Sequence, residues 1–369
     1  MFKAAVSYDV GDTRIREFEF PEISADAGLL KVEKSGICGS DWPYYKKYPQ
    51  SKGPLILGHE AVGYIDRLGK DAARRMGFKE GDRVALEEYL PCGHCKYCRT
   101  ADYRLCSETD TLNKDGTVRY GSTPISIEPS LWGGYSQYQY LHPNVVLHKV
   151  PDHVPDKLAT LALPLGNGIE WAYLQGKASI GEIVVIQGPG QQGLACVVAA
   201  KEAGAACIIV SGLSTPADKR RLALAKKLGA HHTLEADKVD IIETVHETTN
   251  GEMADLVIDC ASGGPETIVS AIKLARIQGR IVFGGSKFRP IPEFESDLLI
   301  KRFLTVQGMR GHSFKSVEMA IHIIASGKYP LEEMCTHVFG LDDVDQALHT
   351  VGGEGLPEAI HCTVDPWLA

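Results

Sequence analysis

The spacing of apolar and polar residues changes character near residue 150 of this chain. Before that point, short apolar runs stand between turn-forming stretches. Leu29–Val32, Arg83–Leu86 and Gln137–Leu141 read as strands, punctuated by Gly and Pro. The polar stretch from about Ser107 to Trp132 carries Gly116, Gly121, Pro124 and Pro129, and is predicted to be a surface excursion. Pro151 and Pro155 bracket a connector. Beyond it, strand and helix patterns alternate. Ile183–Ile186, Cys207–Val210, Leu256–Asp259 and Arg280–Phe283 are apolar runs of strand length. Leu194–Ala203, Lys219–Leu228 and Glu266–Arg276 have helical spacing, with Leu194, Val197 and Val198 on one face. This alternation predicts a parallel sheet covered by helices. After about Gly308 a helix over Val317–Ala325 is followed by short strands. The pattern predicts an α/β protein in which a β-rich domain, residues 1–157 and 310–369, is interrupted by a doubly wound domain, residues 158–309.

Composition narrows the function classes. A chain of 369 residues is long for one core, so two domains are expected. Lys and Arg total 39 against 47 Asp and Glu, a net charge of -8, which argues against nucleic acid as a partner. No apolar run approaches the length of a membrane span, and Met1-Phe-Lys-Ala-Ala-Val lacks a signal-peptide core. With no export signal, the ten cysteines are expected to be reduced thiols in the cytoplasm. Cys196, Cys207, Cys260, Cys335 and Cys362 read as buried small hydrophobes.

Four cysteines do not fit that description. Cys92, Cys95, Cys98 and Cys106 follow the pattern C-x2-C-x2-C-x7-C. Four thiolates close a tetrahedral zinc site with no position left open, so such a zinc is structural. Paired disulfides are the alternative, but cysteines three residues apart are crowded for them.

A second motif lies where the alternating region begins. Gly188-Pro-Gly190-Gln191-Gln192-Gly193 fits G-x-G-x-x-G, follows an apolar strand and opens a helix at Leu194. The first glycine permits a tight turn. The second lets the backbone approach a pyrophosphate, and the third allows close packing of helix on strand. At the end of the second strand, where an acid holds the ribose of NAD, stand Ser211 and Gly212. Lys219, Arg220 and Arg221 follow, and either admit the 2′-phosphate of NADP or form the solvated face of a helix. The cofactor is NAD or NADP, and the choice stays open.

Two further segments complete a pattern. Cys38-Gly-Ser40-Asp and Gly58-His59-Glu60-Ala-Val-Gly occur with Gly81-Asp-Arg-Val, the four-cysteine loop, Gly133-Gly-Tyr-Ser-Gln-Tyr and the Gly188–Gly193 turn. In that order they resemble the zinc-dependent medium-chain dehydrogenases, closer to the polyol and threonine branch than to the classical alcohol dehydrogenases. The resemblance spans the chain. It implies a GroES-like catalytic domain and a Rossmann cofactor domain with the active site between them, and a homodimer or homotetramer built through the Rossmann sheets. It implies that Cys38 and His59 hold a catalytic zinc, that Ser40 passes the substrate proton, and that Glu60 is an acid at the metal. It matches Cys92, Cys95, Cys98 and Cys106 to a structural zinc.

The chain departs from the family pattern twice. Leu163-Pro164 stand where a third catalytic ligand is expected, leaving Glu60, a water or Glu170 to fill the place, or zinc held weakly. Pro43 stands where many relatives carry a relay histidine, so protons need another exit, through Tyr44, Tyr45 or water. Trp42, Tyr44, Tyr45 and Trp132 either line an aromatic substrate pocket or pack in the core. The expected reaction interconverts a small-molecule alcohol with an aldehyde or ketone by hydride transfer to or from the nicotinamide. The alternatives are an NADPH-dependent reductase of an activated C=C or C=N bond that keeps only the structural zinc, and a nucleotide-binding protein without catalysis.

Overall fold

A computed structural model describes residues 1–368 apart from 111–113, 115, 263, 292 and 293. The chain divides into two compact units. One comprises Met1–Leu163, Ile324–Ser326 and Cys335–Ala369, and the other Pro164–Ile323 and Gly327–Met334.

The first unit begins with an antiparallel hairpin of β1 (Phe2–Asp9) and β2 (Asp12–Phe18). β3 (Gly28–Ile37) and β4 (Glu60–Leu68) pair antiparallel, and α1 (Asp41–Lys52) lies in the connection between them. β5 (Arg83–Leu86), β6 (Tyr138–Leu141) and β7 (Leu147–Lys149) follow. In the second unit come β8 (Ile183–Gln187), β9 (Cys207–Gly212), β10 (His232–Glu235), β11 (Ala254–Asp259), β12 (Ala275–Phe283) and β13 (Thr305–Gly308). The chain then returns to the first unit with β14 (Cys335–Phe339) and β15 (His361–Val364).

The sheet of the first unit runs β14-β15-β3-β4-β5-β7, with β6 also pairing β3. β3 is buried on both faces because its alternate residues serve two cores. Leu29 and Ile37 join a cluster with Phe2, Tyr45 and Tyr135, while Leu30 and Val32 join Leu86, Tyr120 and Trp132.

The sheet of the second unit runs β10-β9-β8-β11-β12-β13, and every pairing is parallel. Val185, Ile209, Val257 and Ile281 stand level on four neighbouring strands and form one row of its core. Helices α2 (Gln191–Glu202), α3 (Pro216–Leu228), α4 (Ile241–Thr248) and α5 (Glu266–Leu274) alternate with the strands. Val245, Ala271, Ile272 and Leu274 of α4 and α5 pack against that row. The doubly wound architecture follows from the Val/Ile runs, whose strands are covered on both faces.

Four details differ from the sequence reading. The helix expected over Glu266–Arg276 ends at Leu274, and Ala275 already belongs to β12. β10 escapes a pattern search because it is an edge strand of sequence His-Thr-Leu-Glu with no fully buried residue. The 107–132 stretch is not a simple surface excursion. Where it is described, Tyr120, Thr123, Leu131 and Trp132 are buried, and the Trp132 indole donates to Ile127 O at 2.8 Å. Residues 111–113 and 115 of that stretch lie outside the described residues. Of the five cysteines read as core, Cys196 and Cys362 are buried, whereas Cys207, Cys260 and Cys335 are partly exposed.

Candidate functional site

The four cysteine sulfurs of the 92–106 loop lie within 4.8 Å of one another. Cys92 Sγ and Cys98 Sγ are 3.9 Å apart, as are Cys95 Sγ and Cys106 Sγ. A disulfide needs about 2.05 Å. Thiolates about 2.3 Å from a central zinc stand roughly 3.8 Å apart at the corners of a tetrahedron. Backbone amides already point at the sulfurs: Cys95 N donates to Cys92 Sγ at 3.4 Å and Cys92 N to Cys106 Sγ at 3.5 Å. Such donors, first among them the Cys98 amide, hold the Cys95 thiol down to about 5. Burial, followed by the Cys95 and Cys106 sulfurs, pushes Cys98 up to about 12. Four sulfurs this close ionise together only around a cation, so the donor set fits zinc.

The second cluster forms where two strands meet. In the antiparallel register, Gly36 of β3 faces Glu60 of β4. Cys38, just past β3, therefore falls beside His59 and Glu60. The Cys38 thiol, a His59 ring nitrogen and a Glu60 oxygen lie within 4.8 Å of one another. A Cβ on Gly36 would stand 2.6 Å from Glu60 Oε2, so a side chain there would push the carboxylate aside.

Asp41 organises the cluster. It is fully buried at the start of α1. Its Oδ2 accepts from Cys38 N at 3.0 Å and from the Tyr135 hydroxyl at 2.9 Å. Its Oδ1 stands 3.1 Å from His59 Nδ1, close enough for an ion pair but out of line for a hydrogen bond. Nδ1 is thus turned to a carboxylate, which leaves Nε2 for a metal. Ser40 caps α1 without a side-chain capping bond and is only partly exposed.

Burial alone would lower His59, but the Asp41 and Glu88 carboxylates outweigh it and hold the imidazole well above its usual value. Burial pushes Glu60 up to about 8, and raises Cys38 with help from Glu60. Glu60 Oε2 is buried with no hydrogen-bond partner. A thiol, an imidazole and a carboxyl held in this condition fit a zinc ion, which would let both acids ionise.

The remaining candidates are dispersed. Leu163 is buried and offers no ligand atom. Glu170 is not a surface acid: it is buried in a π-helical turn and accepts from Ser313 Oγ at 2.5 Å and Gln175 Nε2 at 3.0 Å. The four aromatic residues do not form one pocket. Trp132 packs with Tyr120, and Trp42 with His349 and Tyr45. Tyr45 is fully buried, with its hydroxyl between Gly11 N and Asp345, so it is no proton exit. Tyr44 alone stays near the cluster, its ring 6.4 Å from that of His59 and stacked on Tyr48 at 4.6 Å.

Beside it stands a charged pair that sequence reasoning missed. Glu88 Oε2 lies 3.9 Å from His59 Nε2, and Glu88 Oε1 is 2.6 Å from the Arg119 guanidinium. Arg119 lies over the Tyr89 ring, with its Nε buried and unpartnered.

In the second unit the glycine turn has the shape its spacing requires. Gly188 has a φ of 94°, a region that side chains rarely enter. A Cβ on Gly193 would lie 1.9 Å from Gly188 O, whereas one on Gly190 would meet nothing within 4 Å. The backbone at 190 is therefore open to a ligand, at the start of α2 and its positive dipole end. Gln191 begins α2, Leu194 is buried, and Gln192 Nε2 donates to Pro164 O at 3.3 Å. Ser211 and Gly212 abut the turn, with Gly188 N donating to Ser211 O at 2.9 Å. Lys219 is exposed, 3.8 Å from Glu235.

Residues 24–152 match the family model of the alcohol dehydrogenase GroES-like domain, and residues 193–326 that of the zinc-binding dehydrogenases. The chain belongs to the zinc-dependent medium-chain dehydrogenases, oxidoreductases that interconvert alcohols and carbonyls. It is 35% identical to a probable alcohol dehydrogenase of Mycobacterium tuberculosis, over 95% of each chain. It is 31% identical to D-arabitol-phosphate dehydrogenase of Enterococcus avium, over 95% of this chain and 93% of that one. An Escherichia coli alcohol dehydrogenase solved with NADH superposes with a TM-score of 0.82, at 25% identity and over 99% of both chains.

Asp41→Asn is expected to weaken metal binding at the Cys38 cluster by roughly 10–100-fold, since it removes the carboxylate behind a ligating histidine. Zinc retained per chain across a chelator series checks this. The four-cysteine site should keep its metal throughout.

Proposed function

We propose that the chain is a zinc-dependent, NAD(P)-linked alcohol dehydrogenase with a catalytic zinc at Cys38, His59 and Glu60 and a structural zinc at Cys92, Cys95, Cys98 and Cys106. The observation that carries this reading is the convergence of thiol, imidazole and carboxyl within 4.8 Å. When bound, zinc supplies Lewis acidity to the alcohol or carbonyl oxygen, and the nicotinamide gives or takes the hydride.

The residues have separable duties. Asp41 fixes the His59 ring and, through Cys38 N, the loop that carries the thiol. Ser40 Oγ, two residues beyond Cys38 and unused as a cap, takes the substrate proton. Tyr44 walls the site, its phenol pushed up to about 12 by burial and then by Glu88, so it holds its proton at neutral pH.

Glu88 and Arg119 bear on the substrate. A hydrocarbon chain pressed against this buried pair would desolvate it without replacing a hydrogen bond. A substrate with a second hydroxyl beside the reacting carbon offers one. We therefore assign a hydroxyl-rich alcohol, in keeping with a relative named for an arabitol phosphate.

β13 is an edge strand of the parallel sheet with Val306 exposed, and Gln278 N bonded to Arg302 O draws the exposed Ile277 toward Phe303. An apolar sheet edge is a template for pairing, so we assign a homodimer or homotetramer joined there. Ten free cysteines suit a reducing compartment, and we assign the cytoplasm.

Elemental analysis should find about two zinc per chain in the wild type and about one in Cys38→Ala, which should also lose turnover. About one in the wild type would overturn the catalytic zinc. The wild type should prefer 2,3-butanediol to 2-butanol in kcat/KM by roughly 100-fold, and Glu88→Gln should shrink that ratio at least tenfold. Near-ultraviolet circular dichroism would verify that this variant keeps its packing. Phe303→Glu should lower the sedimentation coefficient to that of a single chain, from a larger wild-type value.

A further inference from the structure

The tip of β9 decides which dinucleotide the second unit takes. In doubly wound nucleotide-binding units, the adenosine ribose meets the end of the second strand. A carboxylate there accepts the ribose hydroxyls, or a basic group accommodates a 2′-phosphate. In this chain the position is Gly212. It abuts the glycine turn so closely that a Cβ would lie 2.6 Å from Pro189 Cγ. No side chain can project from it without displacing the turn.

Carboxylates reach the spot from elsewhere. The same Cβ position is 3.4 Å from Asp218 Oδ2. Asp218 sits in the first turn of α3, and its Oδ2 accepts from Leu213 N at 2.9 Å. Asp237, just beyond β10, reaches the loop that follows β9 at Ser214. Its Oδ1 accepts from Ser214 N at 2.7 Å and its Oδ2 from the Ser214 hydroxyl at 2.5 Å. That hydroxyl directs its hydrogen to Asp237 and so presents only lone pairs outward.

Three of the four bases that a 2′-phosphate could use lie close to acids. Arg221 donates to Asp218 Oδ1 at 3.0 Å, Lys219 is 3.8 Å from Glu235, and Lys238 is 3.9 Å from Asp237. Arg220 is exposed on α3. Around the strand tip, Asp218, Glu235 and Asp237 thus stand against Lys219, Arg221 and Lys238, each of these three bases within 3.9 Å of an acid, with Arg220 the fourth base of the group.

We propose that this unit binds NAD(H) and discriminates against NADP(H), with Asp218 standing in for the acid that Gly212 cannot supply and Asp237 repelling a 2′-phosphate. The inference rests on the reading of the Gly188–Gly193 turn as a dinucleotide site. A carboxylate oxygen with one donor still has a lone pair for a ribose hydroxyl. A phosphate dianion brought to the same place meets two fixed negative charges, and like charges juxtaposed cost enough to dictate specificity.

Direct binding tests this without any turnover. The purified full chain is titrated with NADH and, separately, NADPH by calorimetry at fixed ionic strength. NADH should bind roughly 100-fold more tightly than NADPH. Asp237→Ser should raise NADPH affinity about tenfold and leave NADH nearly unchanged, and Asp218→Asn should weaken NADH. Asp237 is at the surface, so its variant is expected to fold, and circular dichroism verifies both. NADPH binding as tightly as NADH overturns the assignment, as does a ratio that neither variant moves. If neither dinucleotide binds, the reading of the turn falls and takes the assignment with it.

Discussion

A single buried carboxylate holds the Cys38–His59–Glu60 end of the first unit together. Asp41 has no exposed surface, yet it gathers the Cys38 amide, the Tyr135 hydroxyl and the His59 imidazole. Those three groups come from the end of β3, from the stretch leading to β6, and from the residue before β4. A charge buried so completely is tolerated only with partners on every side. The partners are in turn the groups that must be fixed for a thiol and an imidazole to share one ion. Fold and site therefore depend on the same contact.

Around it the chemistry sorts by distance. On the Nδ1 side of His59, Asp41 is locked by two further hydrogen bonds and serves orientation. On the Nε2 side, Glu88 is held by Arg119 and bears on whatever occupies the site. Two carboxylates flank one ring, and their different anchors separate their tasks. The second unit repeats the principle at the tip of β9, where Asp218 and Asp237 are each fixed by a backbone amide. In both places polar groups are held by the protein's own bonds, which is the usual route to selectivity at small energetic cost.

What could be read from the sequence was what is local. The four-cysteine loop and the glycine turn are short-range patterns, and their spacing alone carries the geometry. The Val/Ile runs of β8, β9 and β11 announced a parallel sheet because both faces of such strands are buried. Roles created by the meeting of distant segments were not legible. Asp41 and Tyr135 stood inside recognisable motifs, but only packing joins them. Glu88 and Arg119 lie far apart in sequence, and nothing in Glu87-Glu88-Tyr89 marks one acid for the metal cluster and its neighbour for His148. At Gly212 the strand tip carries no acid of its own, and only packing shows that Asp218 of α3 comes close to it and that Asp237, from the turn after β10, bonds the neighbouring Ser214. Trp42, Tyr44, Tyr45 and Trp132 looked alike as candidates and were separated only by burial.

The pairing of β15 with β3 has a consequence for how the molecule is made. Ile37, the residue before the Cys38 thiol, is registered against Cys362. The strand that carries the reactive loop thus lacks one neighbour until hundreds of later residues have been synthesised. The second unit, nearly continuous in sequence, can complete its sheet before that. Until β15 docks, the strand that leads into Cys38 keeps one edge unpaired at Ser35–Ile37, so the reactive loop is the last part of the first unit to gain its full support.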